Sequence, residues 1–375
     1  MKRFIYADNA ATTKLDIEAF EAMRPYLLDE YGNASQPYAF ARSPKAAIKK
    51  ARAVIAKCIN AKPEEIYFTS GGTESDNWAI KGGALAQEAH GAVIASAIEH
   101  HAVLRACASL ERQGIPVAYI LPNQDGVITP DALSEIITKN TTLVSVMMSN
   151  NETGVVQPIC ELAKIAHQNG AVFHTDAVQC VGHISVDVQA LGVDILSASA
   201  HKFNGPKGVG FLYIKNGTPI LPLMDGGAQE NGNRAGTENV ASIVAMAVAL
   251  ENNINRIGEH SEHIKQLETR LLALLTEYGI NYVRNGAGEM IPGNISLGFP
   301  GFEGEAILHR MDLLGVQVST GSACDSVNTQ ISHVLKAMKV DMAIAKGTIR
   351  VSLGKYNKVE DVEFIADAIN KIINC

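Results

Sequence analysis

The 375-residue sequence is poor in the features that mark metal sites, secreted frameworks and membrane spans. Its six cysteines (Cys58, Cys107, Cys160, Cys180, Cys324 and Cys375) lie far apart, with no C-x-x-C pair. A disulfide framework is therefore not expected, and no metal site is. Lysine and arginine form no run, and 32 basic against 39 acidic residues leave a net charge of only −7. Nucleic acid has no basic patch to bind. No apolar stretch reaches the length of a bilayer span: the best candidate, Val240 to Leu250, stops at Glu251-Asn252-Asn253. The opening Met1-Lys2-Arg3-Phe4-Ile5-Tyr6-Ala7-Asp8 meets a carboxylate too early for a secretory leader. These absences lead to the expectation of a cytoplasmic protein without nucleic-acid or membrane partners. Internal repeats and low-complexity tracts are missing as well.

What is present is material for a large core: 47% of residues are hydrophobic and 19% charged. That length and composition suggest two domains. Short apolar runs at Ile66–Phe68, Val93–Ala95, Val117–Ile120, Leu143–Met147, Val172–His174, Asp194–Leu196 and Gly210–Tyr213 read as strands. Amphipathic stretches such as Pro130–Thr138 and Ile159–Gln168 alternate with them. The pattern predicts an α/β fold: a mixed, mostly parallel seven-stranded sheet with helices on both faces. One long helical stretch, Asn239–Tyr278, then leads to a smaller α+β domain. It holds short strands at Ile295–Leu297, Val316–Val318 and Ile349–Val351 and helices at Glu303–Leu314 and Val359–Ile373. The expected division is 15–255 for the large domain, and 1–14 with 256–375 for the small one.

Two segments carry chemistry. Ala171-Val172-Phe173-His174-Thr175-Asp176 and Ile195-Leu196-Ser197-Ala198-Ser199-Ala200-His201-Lys202 are apolar strands ending in polar residues. In a parallel sheet the carboxyl ends of strands are where ligands bind. A lysine and a carboxylate converging there suit pyridoxal phosphate, the lysine carrying the cofactor and the carboxylate keeping the ring nitrogen protonated. Alone, the segments fit a surface lysine and a capping aspartate equally well. Thr69-Ser70-Gly71-Gly72-Thr73-Glu74-Ser75 follows a strand and opens a helix. It reads as a phosphate cradle or as an ordinary glycine turn with a Thr cap.

Further segments join these in order: Asp8–Thr13, Thr69–Asn77, Glu99-His100, Asn150–Gly154, His174–Gln179, His201–Gly208, Arg234–Asn239, Gly321–Cys324, Ser332–Leu335 and Ile349–Gly354. Through them the chain resembles the class V aminotransferase family, specifically its cysteine desulfurases of the NifS and IscS type, nearly end to end. The resemblance implies a fold-type I pyridoxal-phosphate enzyme. It assigns Lys202 to carrying the cofactor, Asp176 to the ring nitrogen, and Gln179 to the ring's phenolate oxygen. Asn151 falls near that oxygen and the substrate. Gly72, Thr73, Ser199 and His201 correspond to phosphate contacts. Thr237 corresponds to a residue that reaches the phosphate of the neighbouring subunit, which implies a homodimer. His100 would stack on the ring and move protons. Arg350 corresponds to the clamp for the substrate carboxylate, a task suited to a planar guanidinium; read by itself it is equally an arginine on a surface strand. Asn33 and Arg234 are further substrate-side residues on this reading.

Cys324 selects the reaction. It lies in Thr320–Gln330, a run of small and polar residues with few apolar anchors, within a loop expected over about 320–331. The usual reading of a lone cysteine, a buried inert thiol, sits poorly there. The resemblance implies that its thiolate takes the sulfur of L-cysteine as a persulfide, leaving L-alanine. The sulfur then passes to an acceptor, an iron–sulfur scaffold or a thiolation enzyme. A selenocysteine lyase or cysteine β-lyase is the alternative on the same scaffold.

Two departures from the family accompany these matches. Ala34, Gln36 and Tyr38 replace the usual Pro, Ser and His beside the substrate entrance, so substrate preference is expected to differ. The sequence also stops soon after Val359–Ile373, without a scaffold-docking extension, which favours an acceptor of the tRNA-thiolation kind. Cys375 is expected to be frayed and inert.

Asp325 beside Cys324 opposes ionisation of the thiol. Titration of Cys324 in the resting protein should show no depressed pKa. A thiolate already formed well below neutral pH would contradict this.

Overall fold

The structure, a computed structural model, describes residues 4–86, 91–321 and 331–374. Cys324 and Cys375 lie outside the described residues. In chain order the strands are β1 (Ile5–Tyr6), β2 (Ile66–Thr69), β3 (Ala92–Ser96), β4 (Val117–Ile120), β5 (Thr141–Ser145) and β6 (Val172–Asp176), followed by β7 (Ile195–Ser199), β8 (Gly210–Ile214), β9 (Val283–Arg284), β10 (Asn294–Gly298), β11 (Val316–Gln317) and β12 (Thr348–Ser352).

Seven of them form one sheet in the order β2-β8-β7-β6-β5-β3-β4. All neighbouring pairs are parallel except those made by β8, which runs against both β7 and β2. The expected mixed, mostly parallel sheet is therefore present, with strand ends shifted by at most three residues. Strands β5 to β8 are buried along their whole length, as a sheet covered on both faces requires. Side chains alternate between its two faces. Ile94, Val144, Phe173 and Leu196 join one apolar cluster; Val93, Leu143, Val172 and Ile195 join the other.

A second core gathers β10, β12 and helices Ile257–Glu277, Gly304–Leu314 and Val359–Ile373, together with Ile5 and Ala7 from the chain's start. Strand β1 pairs in parallel with β11, while β12, β10 and β9 form an antiparallel sheet. The stretch read as one long helix is two, Val240–Asn255 and Ile257–Glu277. Arg256 between them sits at φ −121°, ψ 18°, outside helical geometry. Arg256 itself is neither proline nor glycine, and the nearest glycine, Gly258, lies inside the second helix.

The consequence for function is positional. The carboxyl ends of β2, β5, β6 and β7 open on one edge of the sheet. The backbone pairing of β5 with β6 continues past their ends, with Met148 N–H donating to the Asp176 carbonyl at 2.8 Å. Phe173, fully buried in β6, ties that edge to the core. Phe173→Ala should cost about 3–5 kcal/mol, read as a lowered urea midpoint of the cofactor-free protein. An unchanged midpoint would place Phe173 outside the cooperative core.

Candidate active site

Strand β6 ends at Asp176 and β7 at Ser199, where a 3₁₀ turn over Ala200–Lys202 swings the lysine back over the sheet edge. The cavity there, about 320 Å³, is lined by Gly72, Thr73, His100, Asn151, Asp176, Gln179, Ser199, His201, Lys202 and Arg350. Ten of the expected site residues thus line one cavity. Residues from positions 8 to 11 and 319 to 321 close it from the side of the second core.

The Lys202 ammonium donates to the carbonyls of Ala10 (2.6 Å) and Ala11 (2.9 Å). Gln179 Nε2 donates to the Ala10 carbonyl at 3.0 Å. The chain's first segment is thereby pinned to the sheet edge. Asp176 is nearly out of water and accepts the N–H of Val178 at 2.9 Å. Burial pushes its pKa up to about 6, opposed by that N–H and by Lys202.

His100 caps helix His101–Glu111, its Nδ1 accepting the N–H of Ala102 at 3.1 Å. Nδ1 is then bare, and in the neutral ring the proton sits on Nε2. Burial, followed by the charges of Lys202 and His101, lowers the pKa of His100 to about 4. His201, with Nδ1 3.1 Å from the Thr12 hydroxyl, is lowered to about 4 by burial and by Lys202.

At the cradle, Gly71 has φ 145° and precedes helix Gly72–Asn77. A Cβ on Gly72 would come within 2.8 Å of Val178 Cγ2, so only glycine lets the helix start this close to β6. The first N–H groups of the helix have no partner within it, and Gly72, Thr73 and Ser199 line the cavity. On the opposite wall Arg350 is buried. It donates to the Asn151 carbonyl (2.8 Å) and to Asp8 (2.6 Å), while its Nε has no hydrogen-bond partner. Arg350 also lines the cavity, where a guanidinium is suited to receiving an anion.

Three expected residues fall elsewhere. Asn33 turns its side chain onto the N–H of Ser35 (2.9 Å), and Thr237 is exposed; neither lines the cavity. Their segments touch through Ser35 and Glu238 at 3.4 Å. Arg234, read as substrate-side, does not line the cavity; its guanidinium grips Glu74 at 2.7 and 3.1 Å, a pairing between distant segments that spacing alone does not reveal. Cys324 lies outside the described residues. The chain on either side of its segment comes together at Glu152, which accepts the Ser332 hydroxyl at 2.5 Å and leaves no room for a Cβ at Gly321. Gly321 itself lines the cavity.

Sequence reasoning missed Asp8 as the partner of Arg350 and Asp76 as a lining residue. Both lie inside segments already matched, which was the available signal. Among the described cysteines, Cys58, Cys107, Cys160 and Cys180 form no disulfide. Burial pushes Cys58 to about 11, Cys107 to about 12 and Cys180 well above its ordinary value, so these three are poor nucleophiles. No group of described residues is placed to hold a metal ion, and no described helix is long and apolar enough to cross a membrane.

A family model for aminotransferase class-V matches residues 5–365. The chain belongs to this family. Among curated class-V relatives, it is 48% identical to a cysteine desulfurase IscS of Dictyoglomus turgidum, over 100% of this chain and 95% of the relative. It is 44% identical to that of Methanosarcina thermophila, over 98% and 92%. A solved NifS-like protein superposes with a TM-score of 0.93 at 37% identity, covering 99% of this chain and 100% of its own. SspA, solved in complex with cysteine, gives 0.84 at 35%, over 94% and 100%. Enzymes of the class-V family depend on pyridoxal phosphate, and the wall described above fits it. It offers a lysine, a buried carboxylate, a glycine-cleared helix start with hydroxyls, and an anion-seeking arginine.

At pH 6 an ordinary histidine is largely protonated, whereas a pKa near 4 keeps His100 and His201 neutral until the pH falls well below 5. Histidine ¹⁵N spectra should show both rings neutral at pH 6, His100 with its proton on Nε2. A His100 signal titrating near 6.5 would contradict the geometry.

Proposed function

We propose that this chain is a pyridoxal-phosphate-dependent cysteine desulfurase that moves the sulfur of L-cysteine onto Cys324, releases L-alanine and passes the sulfur to an acceptor protein. The observation that carries this reading is the meeting of Lys202, Asp176 and Arg350 in one cavity with Thr320 and Gly321, which lead directly into the Cys324 segment. The names and bound cysteine of the relatives point the same way.

When bound, the cofactor supplies a protonated ring that accepts the electrons released at the substrate's α-carbon. Asp176 is the chain's partner for the ring nitrogen, and its negative charge keeps that nitrogen protonated. Gln179 and Asn151 serve the phenolate oxygen; Gly72, Thr73, Ser199 and His201 hold the phosphate. Arg350, which lines the cavity, would receive the substrate carboxylate and fix the reacting carbons over the sheet edge. Lys202 would hold the cofactor, and its amine is the base placed to take the substrate's α-proton. The Cys324 thiolate attacks the substrate sulfur: a sulfur–sulfur bond forms, the carbon–sulfur bond breaks, and its electron pair goes to the substrate's β-carbon, which takes up a proton. His100 would stack on the ring and, being neutral, offer its Nε2–H as a hydrogen-bond donor; its basic nitrogen is Nδ1, which must leave the N–H of Ala102 before it can take up a proton.

The protein acts as a homodimer on this reading. Ile17, Phe20, Leu27, Leu28, Tyr31, Tyr38 and Phe40 leave an exposed apolar surface along helix Ile17–Leu28 and the loop after it, a patch of the kind that marks protein interfaces. A second copy covers it and brings Thr237, and Asn33 beside it, to the neighbouring cavity. The acceptor is an iron–sulfur scaffold protein or a thiolation enzyme, and the protein works in the cytoplasm.

The test is alanine and sulfide formation from L-cysteine with a reductant. The wild type should be active, and Cys324→Ala should lose at least about a hundredfold, the scale seen when a nucleophile is removed, while keeping the cofactor's visible absorbance. Equal activity in both would move Cys324 out of the chemistry and make a β-lyase the better description.

A further inference from the structure

Three carboxyl groups crowd beneath the cavity: Asp76 (1% exposed), Glu99 (0%) and Asp176 (5%). Their surroundings differ. Asp176 has Lys202 and the N–H of Val178. One oxygen of Glu99 accepts the Ser96 hydroxyl (2.5 Å) and the N–H of Met147 (2.6 Å), and its other oxygen has no partner. Asp76, on helix Gly72–Asn77, turns an unpartnered Oδ1 toward Nε2 of His174 at 3.8 Å. That imidazole is fixed by Ser145 Oγ on Nδ1 (2.9 Å) and Ser197 Oγ on Nε2 (3.0 Å). His174 stands two residues before Asp176 on β6 and so shares its face.

The groups acting on Asp76 are His174 and Asp176 from β6, Ser197 from β7, and Glu99 after β3. None is a cation: burial drops His174 to about 3, so it is neutral. Charged carboxylates this deep need a partner charge, and Lys202 serves Asp176. An ionised carboxylate only accepts hydrogen bonds, whereas a protonated one also donates. A proton would give the bare Oδ1 a role.

We propose that Asp76 is kept as a neutral carboxylic acid, a positioning residue whose O–H faces His174 and leaves Asp176 the only anion beneath the cofactor ring. Burial, then the charge on Asp176, push Asp76 well above the usual carboxylate range, against a smaller pull from the Ser197 hydroxyl. The proposal rests on Asp176 being the partner of the ring nitrogen. It adds that the negative charge seen by that nitrogen is one and not two.

Infrared spectra of protein labelled with ¹³C-aspartate test it near neutral pH, in cofactor-free and loaded forms. The wild type should show an isotope-shifted carbonyl band of a protonated acid in both forms, absent from Asp76→Asn. In the loaded enzyme Asp76→Asn, neutral and of the same shape, should leave the cofactor's affinity and the pH midpoint of its visible band unchanged. Asp76→Ala should weaken cofactor binding roughly tenfold, the scale of losing one buried hydrogen bond. Lack of the band, a midpoint lowered by about a unit in Asp76→Asn (the sign for removing an anion), or full affinity in Asp76→Ala would overturn the proposal. Should the alanine variant not fold, the wild-type band and the asparagine midpoint decide. Failure of the underlying reading shows differently: Asp176→Asn would then bind the cofactor as tightly as wild type, whatever the Asp76 band does.

Discussion

A carboxyl group taken out of water at the end of a central strand governs the site. Asp176 is covered by the sheet below and by helix Gly72–Asn77 alongside, and burial alone favours its neutral form. What restores its charge is local: the N–H of Val178 and the ammonium of Lys202. Both come from chain geometry, since β6 and β7 are parallel neighbours in register, Asp176 opposite Ser197, and the turn after β7 brings the lysine back. A cofactor with a basic ring nitrogen completes the same balance. The depth that makes Asp176 costly to ionise also makes its interaction with that nitrogen strong.

The second constraint joins the two cores. Arg350, on β12, reaches across to the Asn151 carbonyl that follows β5 and to Asp8 that follows β1. The start of the chain pairs with β11 in the second core and then lies over the sheet edge, where its carbonyls hold Lys202. Glu152, next to Asn151, gathers Gly321 and Ser332. The cofactor wall, the carboxylate clamp and the approach to the Cys324 segment therefore share one short stretch of backbone, Asn150 to Thr153. That stretch is locked by the Asn150 side chain, which accepts the N–H groups of Glu152 (2.9 Å) and Thr153 (3.0 Å).

Much of this was legible in the sequence, for physical reasons that can be named. Val117–Ile120 and Ile159–Gln168 matched their elements to the residue because turn or capping residues bound them on both sides. Leu143–Met147 was read two residues too far, since Val146 and Met147 continue the apolar run after the strand ends at Ser145. The break at Arg256 was missed because that residue is neither proline nor glycine, and Gly258 falls inside the second helix. Lys202 and Asp176 were readable because parallel topology places strand ends together. Arg234 was not, because its partner Glu74 lies 160 residues away. Asp76 was not singled out within its matched segment; only the packing of that helix on β7 and β8 shows it buried. Asn33 and Thr237 do not line this chain's cavity, and their spacing carried no sign of that.

The central claim is that Lys202 carries the cofactor at the edge of this sheet. Borohydride reduction of the loaded enzyme, followed by proteolysis and mass spectrometry, reads this directly. The account predicts a single pyridoxyl label on the peptide containing Lys202, lost in Lys202→Ala. A label on another lysine, or stable loading with none fixed at Lys202, would contradict it.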